Sequence, residues 1–171
     1  PIGFIIPAIP PLGAGFYGVN GVGPSVALFQ YKAYVVPTML YGLEAVVLGP
    51  DDLLKLENTH RKSLRRIQGL PDSSAIPALY LLMGIAPIAL IDTRALTMFR
   101  NIMAMEKPSP PAMFVKELIQ RQLAVKDRTS HSWAIHIKRL LQKYHLPDAN
   151  NLITETPTKK RWAKMVKTAV N

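Results

Sequence analysis

The sequence predicts an all-α fold, an irregular bundle of about eight short-to-medium helices behind a Pro/Gly-rich N-terminus. Three observations lead there. Apolar residues recur at helical spacing through most of the chain after Ser25. No stretch alternates apolar and polar residues over a strand's length between hairpin turns. Gly and Pro fall between the periodic segments, where they stop one helix and open the next.

Residues 1–24 carry Pro1, Pro7, Pro10, Pro11, Pro24 and six glycines among apolar residues. This lead-in reads as irregular, with Pro1–Pro11 expected to be poorly ordered. The chain starts at Pro1 rather than Met, so a fragment or processed piece is expected. From Ser25, a helix shows Val26, Phe29, Ala33, Val36 and Leu40 on one stripe, with Pro24 in a tolerated first-turn place. Pro37 lacks an N–H and clashes with the preceding turn, so it should kink or split this helix. A second piece then runs from about Thr38 to Leu48. Tyr34 and Tyr41 share one helical face and read as core.

Gly49-Pro50 breaks the chain, and Asp51 or Asp52 caps the next helix. Leu53, Leu56, Thr59 or His60, Leu64 and Ile67 form its apolar stripe; Gly69 stops it and Pro71 prevents resumption. Ser73 or Ser74 caps a short helix through Leu79, Leu82 and Met83 that ends at Gly84. Pro87 opens a longer one lined by Ile88, Ile91, Ala95, Met98, Phe99 and Ile102. Lys107-Pro-Ser-Pro-Pro111 is a stiff linker between a helical subdomain over 25–106 and a basic one over 112–171. Phe114, Leu118, Ile119 and Leu123 mark the next helix. Trp133, Ile137, Leu140, Leu141 and Tyr144 mark another, capped by Ser130 or Ser132. Leu146-Pro147-Asp148 is a turn before a short helix at Ala149–Ile153. Thr156-Pro157 prepares a last one with Trp162, Met165, Val166 and Val170.

At 171 residues and 49% hydrophobic content the chain can bury a core. It has no cysteine, which removes disulfides, thiolate zinc sites and thiol catalysis and fits an intracellular setting, nuclear or cytoplasmic. The longest apolar run, Ala33–Gly49, is interrupted by Pro37, Gly42 and Glu44, so no membrane span is expected. Residues 107–171 hold 13 Lys and Arg against 4 Asp and Glu, while residues 1–106 hold 8 against 7. A charge excess gathered in one third of a chain points to a polyanionic partner, nucleic acid before others.

Two basic helix faces are the candidate contacts. Arg61, Lys62, Arg65 and Arg66 crowd the end of one helix, where they suit phosphates or simply the helix dipole. Lys159, Lys160, Arg161, Lys164 and Lys167 form the second face. Trp162 either stacks on a base or docks the terminal helix through the spacing it shares with Met165 and Val166. No other constellation carries chemistry. His60, His131, His136 and His145 lack partners at metal-ligand spacing. Asp51-Asp52 follows Gly-Pro and reads as a cap, and Asp72, Asp92, Asp127 and Asp148 stand at helix starts and turns. Gly13, Gly15, Gly18 and Gly21 follow no strand and so do not make a dinucleotide loop.

Taken in order, several segments carry a resemblance. They are Leu12-Gly-Ala-Gly15, Tyr17-Gly-Val-Asn-Gly21, Tyr31-Lys32-Ala-Tyr34-Val-Val-Pro37 and Leu40-Tyr-Gly-Leu-Glu44. His60-Arg-Lys-Ser-Leu64-Arg-Arg-Ile-Gln-Gly-Leu-Pro71, Ala78-Leu-Tyr-Leu-Leu-Met-Gly84 and Pro87-Ile88 follow. Arg121–Asp127, Ser132-Trp133, Tyr144–Asp148 and Lys160–Lys167 complete the set. Together they resemble the region after the catalytic palm in reverse transcriptases of non-LTR (LINE-type) retrotransposons. The resemblance implies a thumb-like helical subdomain followed by a C-terminal helical one, holding an RNA and DNA template–primer beside the palm of the parent polymerase. It implies no catalysis by this chain. The aromatic-Ala-Asp-Asp hairpin that holds Mg²⁺ belongs to the palm and is missing here, so no cofactor, small-molecule substrate or membrane is expected. A helical interaction module whose basic tail binds an acidic protein or membrane surface is the alternative, as is a decayed element copy.

Overall fold

The structure is a computed structural model that describes residues 22–83, 86–105, 109–125 and 130–170, apart from the side chains of Leu82 and Met83. Pro1–Pro11, Gly13 to Gly21, the expected stop at Gly84, Lys107-Pro108 and Lys126-Asp127 lie outside the described residues. Among those residues all regular structure is helical, as the periodicity predicts.

The chain enters at α1 (Pro24–Gln30), passes through a π-helical turn (Tyr31–Val35) and continues as α2 (Val36–Met39). Pro37 therefore does not split the helix. The turn before it widens by one residue, and the Val36 N–H reaches the carbonyl of Tyr31, five residues back. That extra residue rotates everything beyond it. The buried positions are Ala27, Tyr31, Val36 and Leu40, at spacings of four, five and four. The expected stripe is accordingly wrong in its first half: Phe29 is 68% exposed, and Val26 and Ala33 are exposed too. Tyr34 and Tyr41, expected in the core, are 70% and 86% exposed. The second helical piece also stops at Met39, far short of Leu48. Leu40 leaves helical geometry at φ −97°, ψ 4°. Gly42 follows at φ +76°, which only glycine adopts readily. After one 3₁₀ turn (Leu43–Ala45), Val46 is extended.

Helix α3 (Pro50–Gln68) starts with Gly49 as N-cap and Pro50 in its first turn, so neither Asp51 nor Asp52 caps it. Both acids stand in the first turn instead, near the positive end of the dipole. Leu56, His60, Leu64 and Ile67 are buried as the stripe predicts. Gly69, at φ +65°, closes the helix: Leu70 N–H donates to Arg65 O at 2.9 Å and Gly69 N–H to Arg66 O at 3.2 Å. Helix α4 (Ile76–Met83) buries Leu79 against this layer.

Helix α5 (Pro87–Met103), α6 (Pro110–Ala124), α7 (Trp133–Lys143), α8 (Ala149–Thr154) and α9 (Lys159–Val170) follow. Pro110 and Pro111, expected in the linker, are the first residues of α6 behind Ser109. Ser132 is the N-cap residue of α7, with its hydroxyl donating to Gln122 Oε1 at 2.6 Å. Asp148 caps α8 by accepting from the Asn150 N–H at 3.3 Å.

Packing divides the chain into two compact units, one built from the described residues of 1–41 and 49–88, the other from 42–48 and 89–171. In the first, Tyr31, Leu40, Leu56, Leu64, Ile67 and Leu79 are buried, and α3 contacts both α1 and α4. In the second, Leu96, Phe99 and Met103 of α5 share one cluster with Ile119, Ile137, Leu141, Leu152, Trp162 and Val166. Residues 107–111 thus fall within the second unit, and the chain passes between the units after Tyr41, Leu48 and Ile88.

Candidate nucleic-acid interface

The four cations at the end of α3 do not form one open face. Arg61 and Arg65 lie i, i+4 on the flank of the apolar stripe, and Lys62 and Arg66 lie on the outer side. Arg61 is ion-paired with Glu57 one turn earlier, and its side chain is only 19% exposed. The neighbouring Tyr80 hydroxyl and then the Glu57 carboxylate hold its guanidinium above the usual basicity, against the effect of burial. Arg65 donates from Nη2 to the carbonyl of Ser74 at 3.1 Å and so ties α3 to the turn that precedes α4. Glu57, four residues before Arg61, is the acid that takes up its charge. Lys62 and Arg66 remain exposed to water.

His60 sits beneath this face. Its Nδ1 is 2.8 Å from the Tyr31 hydroxyl, and its ring stacks on Tyr80 with centroids 6.1 Å apart. Burial, helped by the adjacent Arg61 charge, lowers its pKa to about 4. It is therefore a neutral core histidine at ordinary pH.

Helix α9 uses its cations in the opposite way. Trp162 and Val166 are 1% exposed, and Met165 and Val170 pack against the same cluster. This inward face fixes Trp162 as a docking residue, so it is not free to stack on a base. Lys159, Lys160, Arg161, Lys164 and Lys167 are all exposed, and none forms an ion pair among the described residues. The helix has no acid of its own. Lys160, Lys164 and Lys167 fall at i, i+4 and i+7, a single stripe opposite Trp162. Arg161 lies a quarter turn away and lines a cavity of about 160 Å³ with Pro147, Asn151, Glu155, Pro157 and Met165. The start of the helix is pinned by Arg100 of α5, whose Nε donates to Pro157 O at 2.9 Å.

A polar network in the second unit went unseen in the sequence. Asp92 is buried inside α5 rather than at its start, and its Oδ2 accepts from Lys143 Nζ at 2.9 Å and Tyr144 OH at 2.7 Å. Burial opposes the Lys143 charge, but hydrogen bonds to Tyr144 and Asp92 outweigh it and raise its pKa. Burial and the hydrogen bond to Asp92 raise that of Tyr144. His136 is lowered, chiefly by burial. A buried carboxylate satisfied by two donors fixes α7 against α5.

Among the described residues no group of three His, Asp or Glu side chains could hold a metal ion, and no helix is long and apolar enough to cross a membrane. Compared with protein-family models, curated proteins and solved structures, the chain matches none.

Proposed function

We propose that this chain is a nucleic-acid-holding, non-catalytic portion of an RNA-directed DNA polymerase of the non-LTR retrotransposon kind. It would position template and primer for a palm, carrying Mg²⁺, that lies outside this sequence. Such a role belongs inside the cell, in the nucleus or the cytoplasm. The observation that carries the nucleic-acid part is the α9 face, five cations exposed together without an acidic partner among the described residues. Lys62 and Arg66 of α3 are the second, smaller contact. The polymerase part rests on the ordered motifs that resemble the post-palm region.

The test is binding to an RNA–DNA template–primer across a salt series. Affinity should fall linearly as log salt rises, since released counterions drive such binding. With Mg²⁺ and nucleotides the chain alone should extend no primer, and extension would overturn the non-catalytic reading. One observation favours a second reading, a protein-interaction module. Met113, Phe114, Val115 and Leu118 of α6 are exposed large apolar residues on one helix. If the chain binds no nucleic acid at low salt, that reading replaces the first.

A further inference from the structure

We infer that the Lys160, Lys164 and Lys167 stripe of α9 grips the phosphate backbone of a nucleic-acid duplex, without reading sequence and without stacking on bases. This deepens the proposed function and rests on it. The stripe spans seven residues, about 10.5 Å at 1.5 Å per residue. One strand of a duplex presents a phosphate about every 3.4 Å of axis, so roughly three phosphates face that length.

The side chains also decide what is recognised. Lysines are point charges on flexible stems, lacking the planar fork that lets arginine read a base edge. The aromatic ring of α9, Trp162, is 1% exposed and faces the core, so this surface lacks the platform that single-strand binders use. Arg161, the one fork on the helix, is turned a quarter away toward the cavity edge. What remains outside is a straight row of charge, matched to the regular phosphate spacing along one strand of a duplex.

The experiment is fluorescence anisotropy with the full chain, titrating salt from about 50 to 200 mM. The probes are two labelled duplexes of unrelated sequence, a single strand of equal length, and vesicles of phosphatidylserine and phosphatidylcholine. Both duplexes should bind alike and more tightly than the single strand. Changing Lys160→Gln, Lys164→Gln and Lys167→Gln together should make the log–log salt slope shallower by about 2.7, three phosphates at 0.9 each. Replacing the same residues by Arg should keep the slope, which separates lost charge from lost fold; circular dichroism checks that each variant is helical. Duplex binding with an unchanged slope in the Gln variant would overturn this inference and leave the proposed function standing. So would a preference for the single strand or for one duplex sequence. Binding to vesicles but to no nucleic acid would remove both.

Discussion

Helices α3 and α9 each carry five Lys and Arg side chains. In α3 they share the helix with Asp51, Asp52 and Glu57, and two of them are drawn inward, Arg61 to Glu57 and Arg65 to the Ser74 carbonyl. In α9 no acid is present, and Trp162, Val166 and Met165 claim the inner face, so the lysines are left outside. The number of cations alone makes the two helices equivalent. What separates them is angular position. A cation beside the apolar stripe is half-covered by the neighbouring element and becomes a structural tie, whereas one opposite the stripe is available to a partner.

The sharpest way to break this contrast is to attack the inner face of α9. Trp162→Ala should cost about 3–5 kcal/mol, as deletion of a buried tryptophan does. Thermal unfolding measures it, and a loss below about 1 kcal/mol would mean that the ring does not dock the helix. The next effect concerns the inner face of α3. His60 titrates at about 4 in the folded chain, against about 6.5 unfolded. As the pH drops the unfolded chain takes up the proton first. Stability is therefore full above about pH 6.5 and declines as the pH falls toward 4, by at most about 1.4 kcal/mol per pH unit. Denaturant titrations at several pH values, with His60→Gln as the control that flattens the dependence, would show it.

Arg61→Ala should cost roughly 1–3 kcal/mol, because it leaves the largely covered Glu57 carboxylate without its partner. Its signature is a lowered melting temperature. The smallest change sharpens the comparison from the other side. Lys62→Gln with Arg66→Gln should alter stability by less than about 0.5 kcal/mol. It should lower the magnitude of the salt slope of nucleic-acid binding by at most about 1.8, two phosphates. Were Arg61→Ala to change the slope and leave stability intact, the inward assignment would be wrong.

How much of this could be read from the sequence varied by residue. The helices over Leu56–Ile67 and Trp162–Val166 were legible because their apolar stripes run uninterrupted at one period. The stripe before Pro37 was not, since a π-helical turn inserts one residue of phase that a fixed period cannot represent, and Tyr34 and Tyr41 left the core with it. Asp92 has the composition of a surface acid, and only its meeting with Lys143 and Tyr144, about fifty positions later, makes it internal. The basic faces were legible as charge but not as availability. Glu57 at i−4 was the missed signal for Arg61, and the carbonyl that holds Arg65 belongs to a turn whose path no periodicity describes. On α9 the spacing that Trp162 shares with Met165 and Val166 offered docking as one of two readings, and burial selects it over base contact.

Trp133 and Trp162, the two tryptophans of the chain, both belong to the unit that contains α7 and α9. One has its indole N–H on the Glu44 carbonyl at 2.8 Å and the other is enclosed by the apolar cluster. Intrinsic tryptophan emission is consequently a private reporter of that unit, and the unit holding α3 is dark to it. A melt followed by emission and a melt followed by helix ellipticity therefore measure different quantities, and coincidence of the two curves is direct evidence that the units unfold together.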